Sequence, residues 1–214
     1  MAVVDRLIGA DGSIWSMAFG AALVTGNAVS GSWYKIATVS GVAVFPAGYT
    51  AGDLVIGNGQ AFSATNSAAL GTATLVSDCT EFNCQFSGAE VEVTTLSDNV
   101  KKYRKGKIDL TGTIKGNNTI SEMRKTGSFL NRFLRTVAMT SAYVPTFNAL
   151  SETALYGQFF MNDSATSGET QVFLFGQIDL YGYNLGAAIG DAQAYESGVR
   201  FVGNDPMVYF KDNA

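Results

Sequence analysis

Any chemistry in this chain has to come from a short inventory of reactive side chains. Among 214 residues there is no histidine, and only two cysteines stand beside 14 Lys+Arg and 18 Asp+Glu. Without histidine, the commonest general base near neutral pH and the commonest metal ligand are both missing. Carboxylate, lysine or tyrosine catalysis remains chemically open, but no pair of carboxylates stands at a motif-like spacing. No catalytic residue, cofactor site or metal site is therefore assigned. Cys79 and Cys84 are spaced Cys-Thr-Glu-Phe-Asn-Cys. A zinc site would need further ligands, and there is neither a histidine nor a second cysteine pair to supply them. A local disulfide across a turn is conceivable; two reduced thiols in a hairpin of an intracellularly assembled protein is the favoured reading.

The remaining candidate is a block of positive charge formed by Lys101, Lys102, Arg104, Lys105 and Lys107. Residues 90–135 hold ten basic and five acidic side chains, whereas 1–89 hold two and five, and 136–214 two and eight. A cationic patch on an anionic molecule suits binding to other copies of itself. Lys102-Tyr103-Arg104 places an aromatic ring between cations, which would suit phosphates and a stacked base. The net charge of −4 is opposite to the basic footprint of a nucleic-acid-binding domain. Protein contact is the expectation for Lys101 to Lys107.

The elements that must position this block read as strands. With 24 Gly, 3 Pro and 15% charged residues, the composition favours pleated strands and turns, so the fold class is mainly β, a sandwich or barrel. The hydrophobic share of 47% is high, and part of that surface is expected to be covered by other copies. Val91 to Leu96 and Lys107 to Lys115 alternate at period two on either side of the basic connector, giving a hairpin-like unit with a cationic tip. Further strands are expected at 32–39, 42–45, 53–56, 154–161, 169–183 and 192–202, with Val208-Tyr209-Phe210 able to dock. Residues 63–74, small and polar, read as a mobile loop. One flanking α-helix is expected from Ile120 to Val137, opened by a capping box of Thr119 and Glu122. Its apolar face would be Ile120, Met123, Leu130, Leu134 and Val137.

The apolar run 14–24 is too short to span a bilayer. Asp5, Arg6 and Asp11 make the preceding stretch net negative, where a signal peptide is positive. Residues 1–30 are accordingly read as an N-terminal arm or packing segment, and 31–214 as the β domain.

From residue 31 to 202 the chain resembles the tail tube (major tail) proteins of long-tailed bacteriophages. The resemblance rests on Val91-Glu92-Val93-Thr94-Thr95-Leu96-Ser97-Asp98, then Tyr103, Gly106 and the strand 107–114, followed by the helix and the late strands. The apolar N-terminal segment and the Ser/Ala-rich stretch with Cys79 and Cys84 depart from that pattern. The resemblance implies a β-sandwich with one flanking helix that forms a barrel with its copies. It further implies a structural virion protein, assembled in the host cytoplasm into stacked hexameric rings that conduct DNA during ejection. Its partners would be its own copies, terminator, tape-measure and baseplate proteins, and DNA in transit. A secreted or surface adhesin or carbohydrate-binding module, using Trp15, Trp33 and the tyrosines as a platform, is the alternative.

Overall fold

The computed structural model describes residues 8–9, 11–23, 26–39, 48–62, 66–92, 103–119, 123, 127–139, 141–163, 166–186, 192–202 and 207–212. They form β1 (Ile8–Gly9), β2 (Asp11–Leu23), β3 (Trp33–Val39), β4 (Leu54–Ile56), β5 (Asn66–Glu92) and β6 (Tyr103–Thr119). A 3-10 turn at Leu130–Arg132 follows, then β7 (Thr136–Met139), β8 (Pro145–Asn148), β9 (Leu155–Asn162), β10 (Thr170–Leu185), β11 (Ala192–Phe201) and β12 (Met207–Asp212). The protein is mainly β, and every described strand pairing is antiparallel.

The pairing closes on itself. β2 joins β9, β9 joins β10, β10 joins β11, β11 joins β6, β6 joins β5, and β5 returns to β2. Six strands thus make a closed barrel narrow enough for side chains to fill it. Each contributes to one interior cluster, among them Ile14, Cys79, Phe82, Leu110, Ile114, Phe159, Ile178 and Val199. Alternation explains the choice: on β10, Leu174 and Ile178 face the interior while Phe173 and Phe175 face outward. Glycine makes room where large rings cross. A Cβ on Gly116 would lie 2.7 Å from the Tyr195 hydroxyl oxygen, so this position tolerates no side chain.

The outward residues of β10 are covered as well. β3, β4 and β12 pack a second layer there, where Trp33 lies flat on Phe175 with ring centroids 3.6 Å apart. The Tyr209 hydroxyl donates to the Leu54 carbonyl oxygen at 2.8 Å, tying β12 to β4. A third cluster of Ala28, Tyr34, Ile36, Val55 and Phe62 fills the far side of β3 and β4.

Three expectations need correction. Residues 66–74, read as loop, are the first third of β5, which runs 27 residues without interruption. Cys79 and Cys84 lie on that one strand and not in a hairpin turn; both are free. Five positions along a strand separate their Cα atoms by about 15 Å, twice what a disulfide spans.

The third correction concerns the second half of the expected flanking helix, from Gly127 on. In its described part the segment 120–137 is helical at Met123 and, from Gly127 on, holds the 3-10 turn and the start of β7; 120–122 and 124–126 lie outside the described residues. Local side-chain bonds compete with the helical ladder here. Asn131 Oδ1 accepts from the Gly127 amide at 3.2 Å, its Nδ2 donates to the Leu134 carbonyl at 3.4 Å, and Ser128 Oγ accepts from the Asn131 amide at 3.2 Å. Gly127 itself has φ +79°, outside the helical region. Phe129 enters the barrel cluster, whereas Leu134 and Val137, expected on the same apolar face, are exposed.

The strands at 32–39, 53–56, 154–161, 169–183 and 192–202 are found as β3, β4, β9, β10 and β11, and 208–210 docks within β12. The expected strand at 42–45 lies outside the described residues. The apolar run 14–24 is mostly β2, a barrel strand paired with β5 on one side and β9 on the other. Among the described residues no helix is long and apolar enough to cross a membrane.

Candidate interaction surfaces

Arg104, Lys105 and Lys107, the described part of the basic block, belong to an arm that leaves the barrel. β11 pairs with β6 only from Thr111 onward, and β1 pairs with β5 only at Phe82 and Asn83. Beyond those points β5 and β6 pair with each other alone among the described strands, from Phe86↔Leu110 out to Glu92↔Tyr103. The result is a two-stranded ribbon projecting roughly seven residues, about 23 Å, from the barrel rim. Arg104, Lys105 and Lys107 lie within β6 and not in the connector, and Lys105 is the register partner of Glu90. Lys101 and Lys102 lie outside the described residues. Lys115–Glu81 at 3.2 Å and Arg200–Asp109 at 3.4 Å brace the root of the ribbon. Both pairs are about half exposed, so each contributes at most about 1 kcal/mol.

A second surface was not anticipated from the sequence. β7 and β8 form a separate two-stranded sheet with register Thr136↔Asn148, Val137↔Phe147 and Met139↔Pro145. Thr136 and Asn148 are held: the Thr136 hydroxyl accepts from Asn148 Nδ2 at 3.0 Å and from Asn131 Nδ2 at 3.5 Å. The opposite face carries Val137, Met139, Pro145 and Phe147, and Phe147 is 70% exposed. Tyr143, near the tip, has φ 58° and is 82% exposed. The signal for this hairpin was present as Thr-Val-Ala-Met and Pro-Thr-Phe-Asn, alternating pieces on either side of a turn.

Inside the barrel Ser77, Asn118 and Tyr195 are linked by hydrogen bonds. The Tyr195 hydroxyl lies 2.8 Å from Ser77 Oγ and 3.1 Å from the Asp78 carbonyl oxygen, and Ser77 Oγ donates to Asn118 Oδ1 at 3.1 Å. Burial pushes the Cys79 and Cys84 thiols up to about 12 and raises the Tyr195 phenol as well. Thiols so protonated are poor nucleophiles near neutral pH.

Two clefts open between the barrel and the segment 127–155. The larger, about 470 Å³, is lined by Ser16, Thr74, Ser77, Ser128, Ser151 and Thr153, with Asp78 its one ionisable side chain among the described residues. The other, about 410 Å³, holds Arg132, Glu152 and Asp179. Arg132 Nη1 donates to the Ser151 and Thr153 carbonyls, while its Nε and Nη2 are buried without partners among the described residues, and burial lowers its pKa. Among the described residues no group of three or more His, Cys, Asp or Glu converges to hold a metal. Trp15 and Trp33 are packed in the second layer, and Trp15 Nε1 is buried. Compared with protein-family models, curated proteins and solved structures, the chain finds no match.

Proposed function

We propose that this protein is a structural subunit that polymerises, of the kind that builds the tail tube of a long-tailed phage. The observation that carries the proposal is the β5–β6 ribbon, which among the described strands pairs only with itself beyond the barrel rim. A two-stranded hairpin is marginal in water unless something packs against it. An edge that has no neighbour among the described strands invites strand pairing with another chain. The basic residues on this ribbon and the acidic remainder of the molecule supply charges of opposite sign for head-to-tail contact.

The resemblance of residues 31–202 to tail tube proteins, carried by Val91 to Asp98, Tyr103, Gly106 and 107–114, supplies the rest of the proposal. Copies form hexameric rings that stack around a lumen, and the tube meets terminator, tape-measure and baseplate proteins. DNA passes through during ejection, and a predominantly acidic subunit keeps phosphates from adhering to the wall. Localisation would be the virion tail. The indoles invoked for a carbohydrate platform are committed to internal packing, with Trp33 stacked on Phe175 and edge-on to Tyr209.

Electron microscopy of the purified protein tests this reading. Rings or tubes are expected; a field of isolated compact particles at every concentration would overturn it.

A further inference from the structure

The β7–β8 hairpin is amphipathic in the wrong sense for a free monomer. Its hydrogen-bonded polar pair, Thr136 and Asn148, is partly buried, while Val137, Met139 and Phe147 on the other face are 43%, 57% and 70% exposed. Leu134, Tyr143, Val144 and Leu150 extend the apolar surface, each at least 46% exposed. From Thr136 to Ser151 the sequence contains no Asp, Glu, Lys or Arg. Ordinary surface is not built this way. Absence of charge with an exposed aromatic centre is the composition of an interface core.

Size narrows what covers it. Seven large side chains at these exposures present on the order of 800 Å², which is what one partner contributes to a standard protein interface. It exceeds the few hundred Å² of apolar patch that a typical monomer leaves in water. The chain also carries a complementary seat. On β12, Val208 and Phe210 share the face opposite Tyr209 and are 42% and 73% exposed. β12 pairs only with β10 among the described strands. One exposed apolar face on the hairpin and another on an edge strand form the two halves of a heterologous contact, which propagates from copy to copy.

We infer that the apolar face of the β7–β8 hairpin docks onto the Val208–Phe210 patch of a second copy of this chain. The inference deepens the polymerising role proposed above by naming the elements that meet, but it stands on the hairpin and not on the ribbon. Phe147 is the anchor of the contact, with Val137 and Met139 beside it. Thr136 and Asn148 fix the hairpin's orientation so that this face points outward.

The test uses the full chain. Phe147→Asp and Phe147→Leu are compared with wild type by light scattering across a concentration series, with circular dichroism confirming the fold of each. Phe147 is mostly exposed, so neither change disturbs the barrel. Loss of an aromatic anchor should raise the half-assembly concentration about thirtyfold or more for Phe147→Asp, and far less for Phe147→Leu. Separately, the double variant Phe147→Cys/Phe210→Cys under mild oxidation should give a ladder of cross-linked multimers, and either single variant no more than dimers. Phe147→Asp assembling like wild type, or the double variant giving no ladder, overturns the inference. Normal tubes from Phe147→Asp would sink this contact and leave the tube reading intact. Cross-linked wild-type-like chains that never form rings or tubes would do the reverse.

Discussion

Phe86 and Leu110 are register partners on β5 and β6, yet Leu110 is 3% exposed and Phe86 53%. The barrel ends between these two side chains. Below them every strand has two neighbours and a filled interior; beyond them β5 and β6 have only each other among the described strands.

This boundary fixes unequal energetic weights. Leu110→Ala leaves a cavity in the barrel cluster and should destabilise by about 2–4 kcal/mol. Phe86→Ala removes a side chain already half in water and should cost under about 1.5 kcal/mol. Urea denaturation of the two variants provides the check, and equal losses would mean that the core continues into the ribbon.

Alkaline pH should weaken the fold through its thiols. Cys79 and Cys84 are held at about 12 by burial, above the value of a thiol in the unfolded chain, about 8.5. Between those values the unfolded state releases protons that the native state keeps, so stability is fully present below pH ~8.5 and falls as pH rises toward 12. The urea midpoint should drop between pH 8 and 10.5, and drop less in Cys79→Ala/Cys84→Ala. An unchanged slope in the double variant would count against burial as the cause. Native protein should also react slowly with a thiol reagent at pH 7.5, and rapidly once unfolded.

Asn131 is fully buried and serves three elements at once, bonding the Gly127 amide, the Leu134 carbonyl and the Thr136 hydroxyl. Asn131→Ala should destabilise by about 1–3 kcal/mol, since its partners lose their bonds in a dry site. Release of the hairpin should also admit protease near Tyr143. Limited proteolysis followed by mass spectrometry reads this out; cleavage no faster than wild type would show that Asn131 does not hold the hairpin.

Reversing charge at Arg104, Lys105 and Lys107 to Glu should block polymerisation while leaving the circular dichroism spectrum unchanged. Raising salt to about 1 M shortens the screening length to about 3 Å and should weaken the ribbon contact. Tubes of normal length from the triple variant, seen by electron microscopy, would exclude the basic block as an assembly contact.

Sequence reasoning read the strands whose two faces differ from their flanks. β10 was legible because Val172, Leu174 and Ile178 alternate with Phe173, Phe175 and Gln177, and the structure places Leu174 and Ile178 in one cluster and Phe173 and Phe175 in another. The first third of β5 was not, because Ser67, Ala68, Ala69, Gly71 and Ala73 give no contrast in size or polarity for alternation to show. From Gly127 onward the helix was over-read for a different reason. Leu130, Leu134 and Val137 do match a 3.6 period, but their burial is decided by Asn131 and Ser128, whose side chains replace the helical ladder with local bonds. Of the candidate site, the identity of the basic residues was legible and their position on a strand was not. The apolar hairpin escaped notice because an exposed apolar face and a buried one look alike in one dimension.

β5 is one uninterrupted backbone, paired in turn with β3, β2, β1 and β6. A pull along its axis at the ribbon would not peel these ladders open one bond at a time. It would load them in shear, many hydrogen bonds resisting together, because the bonds lie across the strand direction. Tension entering at Glu92 is therefore carried through the barrel to Asn66 along a single mechanical spine.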